Sequence, residues 1–311
     1  MAPDLVLDCD PGDDDALAIL VAHRHARLRA VTTVAGNAPV ADTTRNALHV
    51  LETLGIDVPV FAGADRPRAG TAPERPRGVH GAHGLGDAPV PEPARRAEPE
   101  PAADALAELL RAHEGLTLVA TGPLTNVAEL LTRWPELVAR IGRLYVMGGG
   151  IGAGNRSAVA ETNVWSDPEA AAVVFDAPVP TTLVGLHVTR RVTFGLDDVE
   201  QLERAPGHVP SFYAGLLRRT VAAYAHTTGA AQRPLHDPCA VLAATHPRLF
   251  RTERLDVHVE LNGHWTRGMT VVDLRPGAPA PGDAAVDVAM DVDAAGVRRL
   301  VFDALGVVAA G

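Results

Sequence analysis

The chain has 311 residues, 28 basic and 38 acidic side chains, a formal charge of −10 and 47% hydrophobic content. This length suits one large α/β domain or two ordinary ones and supplies enough apolar residues for a sizeable core. The acidic balance, with no basic stripe, excludes a nucleic-acid partner, which requires a positive face against phosphate, and offers no attraction to anionic membranes. In chain order, Leu5–Leu7 reads as a buried strand and ALAILVAHRHA, from Ala16, as a helix. Strand-length LRAVTTVAG then precedes helical TTRNALHVLETLG, followed by VPVFAG. ADALAELLRAH, LTLVATG, LTNVAELLTRW, RLYVMGGG, DPEAAAVVF and VPTTLVGL continue the alternation. That is the pattern of a mostly parallel sheet wrapped by helices, whose buried strands appear as unbroken apolar runs.

The segment from Ala64 to Pro101 is rich in Pro, Gly and Arg, has no periodicity and reads as a long loop carrying VHGAHGLG. From Asp197 the pattern becomes helical, and LDVHVEL, MTVVDL and VDVAMDV are expected as late strands before a closing helix. Without repeats or a linker, residues 1–311 are expected to form one domain. The start of the chain lacks a charged segment followed by a long apolar one, and no apolar run reaches membrane-spanning length. Only Cys9 and Cys239 are present, too few to staple such a domain, so a cytoplasmic location is expected. Every basic residue is arginine, which eliminates phosphate-loop, Schiff-base and Ser/Lys chemistry that depends on lysine.

Four polar clusters follow predicted strands: DCDPGDDD, AGN at Ala35–Asn37, ATGPLTN at Ala120–Asn126, and MGGG at Met147–Gly150. Ligands of open α/β sheets bind outside the carboxyl ends of the strands, so the clusters mark one site. DCDPGDDD places Asp8, Asp10, Asp13, Asp14 and Asp15 within eight residues. Helix capping accommodates one or two acids. Five repel one another by about 1 kcal/mol per close pair even in water, so several must be protonated, splayed into solvent or neutralised by a cation. Oxygen-only donors select Ca²⁺ or Mg²⁺ over zinc. LHDPCAVL adds His236 and Asp237, a possible helix cap on its own but a candidate metal carboxylate beside a proton-transfer group when joined to the first cluster. In MGGGIGAGNRSAVAETNVWSD the glycines do not form a dinucleotide fingerprint, and Asn155, Glu161 and Asn163 suit sugar hydroxyls.

DCDPGDDDA resembles the DxDPGxDDA signature of the inosine-uridine preferring nucleoside hydrolases. VAGN, HGxxGLG, ATGPLTN, MGGG, the later GN and ETN, HDPxAV and GMTVVD occur in that family's order over essentially the whole chain. The resemblance implies a Rossmann-like nucleoside hydrolase fold with extra C-terminal helices and strands, and Ca²⁺-dependent cleavage of ribonucleosides to base and ribose. It implies calcium held by Asp10, Asp15, Asp237 and the Thr121 carbonyl, with Asp10 acting on bound water. Asp14 and Asn37 correspond to contacts on the lower ribose hydroxyls, with Met147, Asn155, Glu161 and Asn163 along the upper rim and 5′-hydroxyl. His236 corresponds to the leaving-group acid and His80 to a second base-side histidine, while Tyr224 is positioned to close over the base. Asp8 is expected to be structural and Asp13 solvent-facing. Homo-oligomers, dimers or tetramers, are implied as well. Thr162 stands where the family usually has an aromatic, which leaves purine against pyrimidine preference open. Two other classes compete: a noncatalytic nucleoside- or Ca²⁺-binding protein on the same scaffold, and a haloacid-dehalogenase-like phosphatase suggested by Gly282, Asp283 and Asp287.

Overall fold

In the computed structural model, which describes residues 2–69, 83–85 and 90–307, the chain opens with β1 (Asp4–Cys9), α1 (Asp13–His25), β2 (Arg27–Thr33), α2 (Val40–Leu54) and β3 (Val60–Ala62). After the long loop come α3 (Ala102–Ala112), β4 (Leu116–Ala120), α4 (Thr125–Arg133), β5 (Ile141–Met147), α5 (Thr162–Ser166), α6 (Pro168–Phe175), β6 (Thr181–Val184) and α7 (Leu186–Thr189). The remainder adds β7 (Thr193–Gly195), α8 (Leu196–Arg204), α9 (His208–Thr228), β8 (Gln232–Pro234) and α10 (Asp237–Thr245). It ends with β9 (Phe250–Leu255), β10 (Val257–Val259), β11 (Thr270–Val272), β12 (Val286–Val292) and α11 (Ala294–Ala304). The main sheet runs β3-β2-β1-β4-β5-β6-β12-β9, with every pair parallel except β12 with β9.

Two apolar layers cover this sheet. Alternation along β1 sends Leu5, Leu7 and Cys9 into one core with α1, α9, α10 and α11. Val6 enters the other, with α3, α4 and α6. Helix α1 lies so deep that every residue from Asp13 to Ala22 is buried, and Tyr213 of α9 donates its hydroxyl to the Ala16 carbonyl at 2.7 Å. Truncating a side chain such as Leu17, fully buried there, costs about 2–5 kcal/mol.

Of the expected late strands, VDVAMDV joins the main sheet, while those within LDVHVEL and MTVVDL, Val257–Val259 and Thr270–Val272, pair with each other in a separate hairpin. The edge of the main sheet is FRTERL, β9, which the apolar pattern did not mark; four of its six side chains are exposed, three of them charged. Charges blunt an edge strand against further pairing and remove the apolar run by which a strand is recognised. The chain reverses direction in strand order between β1 and β4, and this switch point holds the site.

Candidate active site

Asp10 follows β1 directly. Its Oδ2 accepts the backbone N–H of Asn37 at 2.6 Å, and the Asn37 amide donates to the Asp10 carbonyl at 3.2 Å. The carboxylate fits only because two glycines face it. A Cβ on Gly36 would lie 2.0 Å from Asp10 Oδ2, and one on Gly122 would lie 2.8 Å from Oδ1. Asp10 Oδ1 is buried without a hydrogen-bond partner among the described residues. Burial, then the charge of Asp15, pushes its pKa well above the usual carboxylate range.

The first turn of α1 supplies the other acids. Asp15 caps the helix by accepting Gly12 N–H at 3.0 Å, and it also accepts the Thr121 hydroxyl at 2.8 Å and the Asn37 amide at 3.2 Å. Asp237, the first residue of α10, approaches from the other end of the sequence. One carboxylate oxygen each from Asp14, Asp15 and Asp237 lies within 4.8 Å of the others. Asp10 stands just outside that trio, where the resemblance implied a direct ligand alongside Asp15 and Asp237. Burial, then Asp14, Asp15 and Asp10 in that order, pushes the Asp237 pKa well up. Buried carboxylates at this spacing, with one oxygen orphaned and only oxygen donors nearby, fit a hard divalent cation.

Asp8 is structural, as expected. Its Oδ1 accepts the Thr32 hydroxyl at 2.6 Å and the Asn126 amide at 2.7 Å, and burial raises its pKa to about 6. Asp13 is a correction: it does not face solvent but is fully buried and ion-paired with Arg233. The repulsion in the acidic stretch is therefore relieved partly by an internal guanidinium. Burial lowers the Arg233 pKa to about 10, so it stays charged at neutral pH.

Above this floor opens a cavity of about 490 Å³ lined by Asp14, Asn37, Thr121, Met147, Asn155, Glu161, Asn163, Tyr224, His236 and Asp237, along with Thr162, Arg190, Thr227, Thr228, Arg233 and Pro234. The structure thus gathers the sequence-selected residues, with Asp10 and Asp15 just beneath. Glu161 caps α5 by accepting the N–H groups of Gly149, Asn163 and Val164 at 2.9–3.1 Å. Burial nevertheless raises its pKa. Asn163 donates its amide to the Thr121 carbonyl at 2.7 Å and the Met147 carbonyl at 3.1 Å. Asn155 Oδ1 accepts both the N–H and the hydroxyl of Thr162, at 3.0 and 3.1 Å. Tyr224 is half-buried at the cavity wall. His80 lies outside the described residues, while His83 is exposed beside Asp42.

Sequence reasoning missed Arg233, Arg190 and Thr189. The Thr189 hydroxyl lies 2.7 Å from His236 Nδ1. Arg190 donates to the carbonyls of Ala153 and Gly154, fixing the loop that carries Asn155. The one available signal was Arg233 itself, a lone cation three residues before His236. The phosphatase alternative loses its basis: Asp287 sits at the amino-terminal end of β12, opposite the site, and pairs with Arg143.

The model of the inosine-uridine preferring nucleoside hydrolase family matches residues 5–299. The pyrimidine-specific ribonucleoside hydrolase RihA of Escherichia coli is 39% identical over 310 residues, covering 98% of this chain and 99% of that protein. A plant nucleoside hydrolase structure superposes with a TM-score of 0.92 at 31% identity, covering 98% of this chain and 99% of the other. A purine-preferring ribonucleoside hydrolase from Gardnerella vaginalis gives 0.91 at 31% identity, covering 97% and 98%. With the acidic floor, the polar walls and these full-length matches agreeing, the chain belongs to the inosine-uridine preferring nucleoside hydrolase family and is a ribonucleoside hydrolase.

Proposed function

We propose that the enzyme hydrolyses pyrimidine ribonucleosides in a Ca²⁺-dependent reaction, with Asp10 as the base and His236 as the acid. The observation that carries the metal part is the buried trio of Asp14, Asp15 and Asp237 beside the orphaned Asp10 oxygen. Asp10, Asp15, Asp237 and the Thr121 carbonyl would hold calcium, with Asp14 close enough to join them. When bound, such an ion supplies a water of lowered pKa and a Lewis acid for sugar hydroxyls.

Asp10 accepts a proton from the attacking water, held in place by the Asn37 N–H on its other oxygen. The water oxygen bonds to the anomeric carbon as the bond to the base nitrogen breaks. His236 gives a proton to the departing base, so the products are neutral base and ribose. Positive charge develops on the sugar in the transition state, and the surrounding carboxylates stabilise it. Asp14 and Asn37 take the lower ribose hydroxyls, and Met147, Asn155, Glu161 and Asn163 line the upper rim. Tyr224 closes over the base side, with His80 as a second histidine there.

Pyrimidine preference is supported by the name of the 39%-identical RihA. Homo-oligomeric assembly and a cytoplasmic location accompany this reading; no helix among the described residues is long and apolar enough to cross a membrane. The test is ribose release from a panel of purine and pyrimidine ribonucleosides, with phosphate release from a nucleotide as control. Uridine and cytidine are expected to lead. Calcium binding without ribose release from any nucleoside would favour a noncatalytic binder.

A further inference from the structure

We propose that Arg233 is a positioning residue for ribose recognition, acting through Asp14; this rests on the reading that Asp14 meets a ribose hydroxyl. Arg233 is 3% exposed and lines the cavity. Its backbone is set by the short ribbon in which Arg233 stands opposite Phe194. One guanidinium nitrogen pairs with Asp13, and Nη2 lies 3.8 Å from Asp14 Oδ1.

Asp13 and Asp14 are neighbours in the first turn of α1, so a single planar fork spans both. A buried guanidinium is tolerable only when matched in this way, and a lysine, as a point charge, does not bridge two carboxylates equally well. Asp14 also belongs to the tight trio with Asp15 and Asp237. Without the guanidinium on its far side, the Asp14 carboxylate loses its hold on that face, and rotation into the cavity would misplace a group meant to accept from a sugar hydroxyl. Arg233, 3.8 Å from Asp14 Oδ1, keeps it aimed. It also ties the segment leading into His236 and Asp237 to a helix 220 residues away.

The test compares kcat/KM for uridine and 2′-deoxyuridine, with inhibition by ribose and 2-deoxyribose as a binding readout independent of turnover. Arg233→Met and Arg233→Gln remove the charge and are expected to lower the ribo-to-deoxy ratio about tenfold or more, the size of one hydrogen bond to a charged group. Arg233→Lys keeps the buried charge but loses the fork, and about a threefold loss is expected. A purely structural role would lower both substrates together and leave the ratio untouched. An unchanged ratio in any folded variant overturns the assignment to Arg233, whereas a wild-type enzyme that fails to discriminate the two sugars refutes the reading of Asp14 beneath it.

Discussion

The backbone N–H of Asn37, in the loop after β2, holds Asp10 Oδ2 at 2.6 Å, and Oδ1 is buried without a hydrogen-bond partner among the described residues. In the proposed reaction one carboxylate oxygen serves orientation and the other chemistry. Asp10→Asn keeps the shape and still accepts from Asn37, but its amide presents N–H groups where Oδ1 was. The expected outcome is a fall in kcat of about 10³-fold or more, roughly 4 kcal/mol of transition-state stabilisation, with ribose inhibition still measurable. Turnover within tenfold of wild type would remove Asp10 from the proton transfer.

Removal of divalent ions leaves Asp14, Asp15 and Asp237 to repel one another. A ligand at a hundred times its dissociation constant stabilises by about 2.7 kcal/mol. Chelation is therefore expected to lower the melting temperature by about 5 °C or more and to stop ribose release. Calcium should restore both. Zinc, which favours nitrogen and sulfur donors, should not. Identical melting curves with and without chelator would argue against an ion in this cluster.

Much of the fold was legible because its central strands are buried on both faces. Leu5–Leu7 and Leu116–Ala120 are apolar runs that end in polar turns, so the sequence marks both the strand and the point where a ligand binds. The acids of α1 were legible by their density. What stayed hidden was carried by distance or by shortness. The Asp13–Arg233 pair joins residues far apart in sequence and leaves no local trace. Strands β7 and β8 have three residues each, too short for periodicity. Thr189 contributes a single hydroxyl from a four-residue helix.

His187 carries a pH dependence away from the acidic cluster. Its Nε2 lies 2.6 Å from the Ala289 carbonyl, so it holds a proton and donates it, while Nδ1 accepts the Ile151 N–H at 3.2 Å. Only the neutral ring satisfies both bonds. Burial lowers its pKa, with the bond to Ala289 acting against that. The unfolded chain then takes up the proton first, so stability is full above about pH 6.5 and is lost as pH falls below it. Wild type should melt progressively lower from pH 7 to pH 5.5, and His187→Gln should show a shallower drop. Superimposable pH curves would assign the dependence to other groups. Since Ile151 opens the loop that reaches Asn155, the same titration should raise KM at low pH.

The Thr189 hydroxyl, itself buried, lies 2.7 Å from His236 Nδ1 and orients the ring, and in the proposed reaction Nε2 is the nitrogen that gives its proton to the base. Uracil is a poor leaving group unless it is protonated or strongly hydrogen-bonded, whereas p-nitrophenolate leaves unaided. His236→Ala should therefore cut kcat on uridine by about 10²-fold or more, within the usual range for general acid catalysis, and by less than about tenfold on p-nitrophenyl riboside. Thr189→Val preserves the buried volume but releases the ring. Its expected loss is about tenfold on uridine, with little on the activated substrate. Both variants should thus steepen the dependence of rate on leaving-group pKa. Equal losses on the two substrates would mean that His236 holds the nucleoside in place and that the proton for the base comes from another group, such as His80.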